Sequence, residues 1–115
     1  MRRGDIWQVN LDPARGSAAN KQRPGVVVSN DRANAAATSR GRGVVTVVPV
    51  TSNIDRIYAF QVSLSAATSG LAVESKAQAE QVRSIATQHL VRRIGQVSGA
   101  ELAAIDDALR LHLAL

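Results

Sequence analysis

An arginine and two hydroxyl residues at the ends of apolar segments are the side chains of this sequence best suited to chemistry. Arg23 directly precedes Pro24, and a proline pushes the backbone of the residue before it toward extended geometry. Pro24 itself has no N–H, so we expect the pair at the start or edge of a strand, where a loop enters a sheet. Thr51 and Ser52 directly follow the apolar segment 43–50. A fixed guanidinium and a nearby hydroxyl can bind a phosphate group through charge-assisted hydrogen bonds.

Each of these residues also has a structural explanation that needs no ligand. Arg23 can pair with a carboxylate and so close one end of the fold. Thr51 can end its strand through a hydrogen bond between its hydroxyl and the backbone. For single residues these structural explanations are the more common ones, so a functional interpretation depends on the two residues lying together.

Residue types that most other enzyme chemistries require are absent or isolated. The sequence has no cysteine, which excludes disulfides, thiol catalysis and cysteine-ligated zinc. His89 and His112 each lack a second ligand at metal-binding spacing, so we expect no metal site. The Gly-Arg-Gly sequence at 41–43 matches no phosphate-binding loop, and no G-x-S-x-G sequence is present. We therefore expect neither a metal nor another cofactor.

One reaction class needs only such groups, namely the cleavage of RNA without a metal ion. The nucleophile is then the 2′-hydroxyl of the substrate, and the protein stabilises the charge that develops on the phosphorane. The guanidinium of Arg23 can provide bidentate hydrogen bonds for this purpose, and the hydroxyl of Thr51 can hold a phosphate oxygen. The identities of the base and the acid stay open, because arginine remains protonated and is a poor base.

Arginine dominates the positive charge of the chain, whose formal net charge is +5 over 115 residues. Twelve of its 14 cations are arginine, and a planar guanidinium suits phosphates and base edges. A polyanionic partner is one explanation, and a GC-rich genome that favours arginine and alanine codons is another. The N-terminus has no apolar signal segment, and no apolar run approaches the ~20 residues that span a bilayer. We expect a soluble cytoplasmic protein of one domain, with no membrane association.

Short apolar and alternating segments predict a mainly β protein (α+β) with a helix at its C-terminus. Ser98 and Glu101 form an S-x-x-E capping box, which predicts an amphipathic helix from about Gly99 to His112. Shorter helical turns are predicted at 33–37 and 87–90. Several short strands at close spacing favour a small barrel. The predicted strands cover residues 5–11, 24–30, 43–50, 58–64, 75–85 and 92–97.

The predicted strand over residues 75–85 has one polar side. Its residues alternate in character, and Lys76, Gln78 and Glu80 share one strand face. A polar face of this kind is expected to be hydrated or to bind a ligand.

Three segments, in order and at matching spacing, resemble the MazF/PemK family of toxin endoribonucleases. The first is RRGDIWQVNLDPARGSAANKQRPGVVVSN, which contains R-G-D-I-W, L-D-P, G-S and R-P. The second is VVPVTSN, a strand that ends in threonine, and the third is EQVRSIATQHL, an E-Q-[IV]-R-[ST]-I motif followed by a short helix. The resemblance runs from Gly4 to the C-terminal helix. Several motifs in order are much more specific than any one of them.

This resemblance implies one toxin domain over residues 1–115, with a small SH3-like β-barrel (CcdB/PemK-like) and a C-terminal amphipathic helix, acting as a homodimer. It implies metal-independent, sequence-specific cleavage of single-stranded RNA that leaves a 2′,3′-cyclic phosphate and a 5′-hydroxyl and thereby inhibits translation and growth. It also implies an antitoxin partner whose acidic, disordered C-terminal tail covers the RNA groove and folds on binding.

The resemblance also implies roles for individual residues. Arg23 matches the catalytic arginine of the family, and Thr51 matches its catalytic threonine. The other matches are residues that contact RNA: Gly16 and Ser17 in the first loop, Asn53 near the base pocket, and Glu80, Gln81 and Arg83 in the E-Q-x-R motif.

One position departs from the family pattern. Many members have G-S-E in the first loop, but here Ala18 follows Gly16 and Ser17, so a glutamate proposed for acid–base chemistry or RNA contact is missing. Glu80 is one candidate for its role. Two alternatives to a ribonuclease stay open: a toxin of the same fold that binds DNA gyrase through its last helix, and a module that binds RNA without cutting it. The C-terminal sequence LRLHLAL has no aromatic anchor, which argues against the first.

Overall fold

Seven β-strands, three α-helices and two 3₁₀ helices make up the part of the chain that the computed structural model describes, residues 1–11 and 22–115. The strands are β1 (Asp5–Asn10), β2 (Gln22–Val27), β3 (Val44–Thr51), β4 (Gln61–Leu64), β5 (Ser75–Gln78), β6 (Arg83–Ala86) and β7 (Leu90–Gln96). The helices are α1 (Asp31–Ser39), α2 (Ala66–Ser69) and α3 (Gly99–Leu113), with 3₁₀ helices at Ala79–Gln81 and Thr87–His89. This confirms the predicted mainly β architecture with a C-terminal helix. In the ranges just given, no helix is both long and apolar enough to cross a membrane.

Strand β3 is the centre of an antiparallel sheet. The strand order is β4–β5–β3–β2–β1–β7, and β6 also pairs with β3. One edge of β3 pairs with β2, and the other edge pairs with two short strands, β6 along Val44–Val47 and β5 at Val50 and Thr51. The β-branched sequence of β3 suits a strand that is paired on both edges.

Consecutive valines occur in β2 and β3 because both faces of the sheet are covered. Neighbouring side chains of a strand point to opposite faces. Val48 belongs to a buried cluster with Ile105 of α3, whereas Val47 belongs to a second cluster with Ala37 of α1. We call these two sides of the sheet the α3 face and the α1 face. Each fully buried valine contributes about 1.5 kcal/mol or more of hydrophobic stabilisation, so both faces support the strand ends where the predicted site residues lie.

Helix α3 begins at the capping box that the sequence predicts. Ser98 Oγ accepts a hydrogen bond from the backbone N–H of Glu101 (3.0 Å), and Glu101 Oε1 accepts one from the N–H of Ser98 (2.8 Å). Glu101 Oε2 accepts from the N–H of Ser65 (2.9 Å), so the cap also ties the helix to the segment after β4. The helix ends one residue beyond the predicted position. The two predicted helical turns are also present, as α1 and as the 3₁₀ helix Thr87–His89.

Helix α2 brings the two ends of the sheet together, because it directly follows β4 and packs against β7. A Cβ atom on Gly95 of β7 would overlap the carbonyl oxygen of Ser69 in α2. Gly70 ends α2 with a φ of +86°, and a Cβ atom there would lie 2.6 Å from the carbonyl oxygen of Ile94. Only glycine permits this approach of one backbone to another. The sheet therefore curls as a small barrel does.

The single strand predicted over residues 75–85 is wrong, because this segment forms β5 and β6 with the 3₁₀ helix Ala79–Gln81 between them. The interruption lies beside Pro49 of β3, between the residues of β3 that pair with β5 and those that pair with β6. Pro49 has no N–H to donate to a ladder at this point. The chain can therefore leave the sheet here without losing a hydrogen bond from that residue.

The strand predicted over residues 58–64 is shorter than expected, because β4 begins only at Gln61. The N–H of Tyr58 donates to Gln61 Oε1 (3.1 Å), and the N–H of Gln61 donates to the carbonyl oxygen of Tyr58 (2.9 Å). These two hydrogen bonds close a turn in front of the strand. Tyr58 and Phe60 therefore lie outside the sheet.

Candidate active site

An opening between β2 and β3 forms where their ladder ends. The last registered pair is Gly25 opposite Pro49, and the next residue of β2, Pro24, has no N–H that could extend the ladder toward β3. Continued in the same register, Arg23 stands opposite Thr51. Both residues are held from their outer sides, because Arg23 pairs with β1 and Thr51 pairs with β5. Strand β2 begins two residues before the predicted start, so the arginine lies inside the strand.

Alternation along the strands places the predicted site residues on the α1 face. Val27 and Val47 are opposite each other and belong to the buried cluster of that face. Arg23 lies four residues from Val27 along β2, and Thr51 lies four residues from Val47 along β3. Arg83 of β6 is directly opposite Val47. Because residues opposite each other or an even number of positions apart point to the same side, all three polar side chains emerge on the α1 face.

Two adjoining depressions share Arg23 and together form what we call the groove. Thr51 lines the first depression together with Arg23. Gln81 and Arg83 line the second depression, again together with Arg23. The structure thus brings together four of the residues predicted to act on RNA, although they come from four different elements of the chain.

The described lining of the groove is positively charged. It contains Arg23 and Arg83 and no aspartate or glutamate. Arg23 is exposed, and its side chain makes no hydrogen bond or salt bridge with another residue of the described ranges. The carboxylate partner that a purely structural arginine would need is therefore absent from this part of the chain. A guanidinium without a protein partner is free to bind a phosphate.

The turn after β3 fixes the hydroxyl of Thr51. The N–H of Asn53 donates to Thr51 Oγ1 (3.2 Å), and the N–H of Asp55 donates to Asn53 Oδ1 (3.3 Å). The hydroxyl-to-backbone bond expected of a structural threonine is therefore confirmed. This bond uses a lone pair of the oxygen, so the hydroxyl hydrogen remains available for a phosphate oxygen. Asn53 is exposed next to Thr51 but lines neither depression.

The E-Q pair predicted to face RNA bases is divided by its 3₁₀ helix. Gln81 is exposed and lines the groove. Glu80 turns toward β4, where its Oε2 accepts a hydrogen bond from Nε2 of Gln61 (2.8 Å). Its Oε1 is buried and has no partner within the described ranges. The structure therefore does not bring the carboxylate of Glu80 into the groove.

Lys76, expected on a hydrated strand face, is buried instead. Only 7% of the residue is exposed, and its Nζ donates to the carbonyl oxygen of Arg56 (2.6 Å). It lies directly opposite Thr51 on β5. The ammonium group thus holds the segment that follows β3 over the sheet beside the groove. Strand alternation indicated the correct face for Lys76 but not the segment that covers it.

Two predicted RNA-binding residues, Gly16 and Ser17, lie outside the described residues, as does Ala18. Among residues 1–11 and 22–115, no three histidine, aspartate or glutamate side chains lie close enough together to hold a metal ion. The described part of the site therefore consists of arginine, hydroxyl and amide groups. Such groups can bind and neutralise a phosphodiester and can form hydrogen bonds with bases.

Known proteins resemble this chain over nearly its whole length. A family model for the PemK-like, MazF-like toxin of type II toxin–antitoxin systems matches residues 2–113. The endoribonuclease MazF9 of Mycobacterium tuberculosis is 73% identical over 115 residues, which cover 100% of this chain and 98% of that protein.

Solved structures of related toxins share the fold. The Mycobacterium tuberculosis toxin MazF-mt6 has a TM-score of 0.78 at 24% identity and matches over 96% of this chain and 97% of its own. A mycobacterial endoribonuclease in complex with its cognate antitoxin has a TM-score of 0.75 at 21% identity and matches over 100% of this chain and 96% of its own. At these low identities the likeness supports the fold.

Proposed function

Because the chain belongs to the PemK-like and MazF-like toxins of type II toxin–antitoxin systems and is an endoribonuclease, we propose that it cuts single-stranded RNA at a preferred sequence without a metal ion. Cleavage of cellular RNA by this activity inhibits translation and growth. The observation that carries the proposal is the guanidinium of Arg23, which has no partner in the described ranges and stands opposite the hydroxyl of Thr51 in a positively charged groove.

Arg23 and Thr51 act on the scissile phosphate in this mechanism. The 2′-oxygen of the substrate attacks phosphorus, and the bond from phosphorus to the 5′-oxygen breaks. The 2′-hydroxyl loses its proton and the leaving 5′-oxygen gains one, so the products are a 2′,3′-cyclic phosphate and a 5′-hydroxyl. Negative charge grows on the non-bridging oxygens, where Arg23 donates two N–H bonds and Thr51 donates its hydroxyl hydrogen. One preorganised donor of this kind is typically worth about 10²–10³ in rate.

The described residues of the groove are suited to stabilise negative charge on the phosphate rather than to act as a general acid or base. No carboxylate or imidazole from residues 1–11 or 22–115 lines the groove. Glu80, the candidate replacement for the missing family glutamate, instead holds Gln61. The guanidinium of Arg23 stays protonated and does not serve as a base. The effect of this site is therefore expected to come from binding the charge of the transition state more tightly than that of the substrate.

Gln81 and Arg83 are suited to read the bases next to the cut. The amide of Gln81 offers both donors and an acceptor, and a guanidinium can form two hydrogen bonds with guanine. Both side chains line the depression that includes Arg23, so bases adjacent to the scissile phosphate come within their reach. Asn53, Gly16 and Ser17 complete the set of residues proposed to contact RNA.

The same groove is proposed to bind an antitoxin. A related solved structure is an endoribonuclease in complex with its cognate antitoxin. An acidic, disordered C-terminal tail would complement a groove lined by Arg23 and Arg83 and would fold on binding. The tail and the RNA would then compete for the same arginines. Two copies of the toxin act together as a homodimer in this proposal.

Cleavage in the presence of a chelator tests the mechanism. Purified protein is incubated with mixed-sequence RNA in excess EDTA, beside Arg23→Ala and the charge-matched control Arg110→Ala. Arg110 lies on α3, where it pairs with Asp107 (2.9 Å) and lines neither depression. The wild type and the control should cut, and Arg23→Ala should not. Cleavage only after addition of a divalent metal would contradict the mechanism.

The chemistry of the cut ends provides a second test. Mapping the 5′ ends of the products gives the target sequence, and a 5′-hydroxyl end is ligated only after phosphorylation. A 2′-deoxynucleotide at the position before the cut removes the nucleophile and should abolish cleavage there. Continued cleavage of the deoxy substrate would show that water, and not the 2′-hydroxyl, attacks the phosphate.

The alternative of a gyrase-binding toxin that is not a nuclease is replaced by the endoribonuclease assignment. Helix α3 does expose Leu111 and Leu113, but the exposed groove is formed by β2, β3 and the 3₁₀ helix that precedes β6. A gyrase supercoiling assay should accordingly show no inhibition. A protein that only binds RNA would fail the EDTA cleavage test.

A further inference from the structure

Three planar side chains after β3 form a small stack, which we call the platform: Arg56, Tyr58 and Phe60. The rings of Tyr58 and Phe60 are parallel within 2°, with centroids 5.3 Å apart. The guanidinium carbon of Arg56 lies over the Tyr58 ring, 5.5 Å from its centroid, and its Nη1 donates to the Tyr58 hydroxyl (3.2 Å). Neither ring belongs to a buried cluster of the core, and Tyr58 is 45% exposed. Packing of the core therefore does not account for the platform.

Two buried polar side chains hold the backbone of the platform in place. Lys76, 7% exposed, donates to the carbonyl oxygen of Arg56 (2.6 Å), and Gln61, 8% exposed, accepts from the N–H of Tyr58 (3.1 Å). No carboxylate of the described residues pairs with Lys76. Burying an ammonium is unfavourable unless it is hydrogen-bonded. The hydrogen bond from Lys76 to the carbonyl oxygen of Arg56 therefore offsets the burial of the lysine and fixes the main chain of Arg56. The platform is thus fixed before any ligand arrives.

The residues that anchor the platform lie on the same face of the sheet as Arg23 and Thr51. Lys76 is directly opposite Thr51 on one side and Ser63 on the other, and Gln61 lies two residues from Ser63 along β4. Both anchors therefore share the α1 face with Thr51. Because Lys76 lies opposite Thr51 and its Nζ donates to the carbonyl oxygen of Arg56, the backbone of Arg56 lies within the reach of one lysine side chain from the strand position beside Thr51.

We propose that the platform is a base-stacking subsite, where a nucleobase beside the scissile phosphate stacks on the outer face of the Arg56 guanidinium, whose inner face lies over the Tyr58 ring. The inference rests on the proposed function, because it gives the RNA of that site a second point of attachment. Single-stranded RNA presents unstacked bases, which bind to aromatic rings and to guanidinium planes. Such stacking accepts any base, so it adds affinity and fixes the phosphate near Arg23 without adding to sequence preference.

Binding of RNA that cannot be cut separates stacking from charge. The probes are a mixed-sequence 2′-fluoro RNA decamer, which lacks the nucleophile, and an abasic strand of equal length, both in EDTA at fixed salt. Tyr58→Leu should weaken binding of the decamer by roughly tenfold and change binding of the abasic strand less than twofold. Tyr58→Phe keeps the ring and should bind like the wild type. Thermal melting of each variant confirms that it is folded.

Arg56→Lys separates stacking from charge most directly, because it keeps the positive charge and removes the planar guanidinium. If the guanidinium stacks on a base, this variant should weaken decamer binding several-fold, whereas Arg110→Lys on α3 should have no effect. Lys76→Met removes the anchor and should also weaken binding of the decamer more than binding of the abasic strand.

Two results would overturn the inference: wild-type affinity in both Tyr58→Leu and Arg56→Lys, or equal losses on the decamer and the abasic strand. The cleavage assay is independent of both. Uncut RNA with wild-type protein would contradict the proposed function and leave the base-dependent binding difference in place. Normal cleavage by wild type with unchanged binding by the variants would overturn the stacking subsite alone.

Discussion

Replacing Arg23 should remove cleavage and leave the fold intact. The side chain is exposed and makes no hydrogen bond or salt bridge with the other described residues. Substitutions at such surface positions usually change the free energy of unfolding by less than about 0.5 kcal/mol. For a chain of this size we therefore expect the melting temperature of Arg23→Ala to stay within about 2 °C of wild type.

The loss of rate should be large, because the proposed mechanism places the charge of Arg23 against the phosphate in the transition state. Two unit charges about 4 Å apart interact by about 4 kcal/mol at the effective dielectric constant of a protein surface. Loss of one preorganised donor in other enzymes lowers kcat by about 10²–10³, equivalent to about 2.7–4 kcal/mol. These figures agree, and we expect kcat/KM to fall at least about 100-fold. Arg23→Lys keeps the charge but not the bidentate fork, so its loss should be intermediate.

The assay measures rate and stability on the same preparations. Initial rates on a short fluorogenic RNA that contains the mapped cut site give kcat/KM in EDTA, and urea denaturation gives the free energy of unfolding. Arg110→Ala removes the same charge from a helix outside the groove. A fall in melting temperature above about 4 °C for Arg23→Ala, corresponding to about 1 kcal/mol, would show that this arginine is structural. An equal loss of rate in Arg110→Ala would show that net charge alone explains the effect.

Three further substitutions test other parts of the structure. Thr51→Val should lower kcat/KM about 100-fold, with Thr51→Ser as the control that keeps the hydroxyl; equal rates for both would remove the hydroxyl from the mechanism. Gly95→Ala should destabilise the protein by more than about 3 kcal/mol, or prevent folding, because its Cβ would overlap the backbone of α2. The control is Gly99→Ala, whose new Cβ has no atom within 4 Å; thermal melting should show it to be neutral or slightly stabilising. Asp106→Asn should lower the free energy of unfolding by about 1 kcal/mol, because Asp106 accepts a bond from Arg3 (2.5 Å); urea denaturation at low and high salt should show a smaller loss at high salt.

The parts of the fold that depend on local signals could be predicted from the sequence. The capping box of Ser98 and Glu101 satisfies backbone groups within four residues of each other, so it marks the start of α3 wherever the helix packs. Runs of β-branched residues such as 44–48 similarly indicate a strand, because they suit a surface that is covered on both faces. The family motifs added the expectation of a small SH3-like barrel, whereas the order and pairing of the strands come from the structure.

The interruption between β5 and β6 could not be predicted, because its cause is distant in sequence. The alternation of residue types over 75–85 indicates a strand, but it does not show which residue of another strand each residue pairs with. The break appears only when Pro49 of β3 lies beside this segment without an N–H to donate. The same break decides that Gln81 enters the groove and Glu80 does not.

The positions of Arg23 and Thr51 in the candidate site could be predicted from the sequence, but the residues that surround them could not. Arg23 and Thr51 each follow from a motif, and the register of β2 and β3 brings them opposite each other. The burial of Lys76 depends on a segment that folds back over β5, and a turn at Tyr58 makes this possible. Nothing in the strand-like spacing of Tyr58 and Phe60 distinguishes a turn from a strand.

The interruption of the sheet beside Pro49 also places Gln81 outside the sheet that holds Arg23 and Thr51. Gln81 lies in a 3₁₀ helix outside the ladders of β3, and its side chain is exposed. Replacing such a residue changes the free energy of unfolding little. The backbones of Arg23 and Thr51, by contrast, are paired with neighbouring strands. In the proposed mechanism, a substitution in this short helix would change the RNA target without rebuilding the barrel or displacing Arg23 and Thr51.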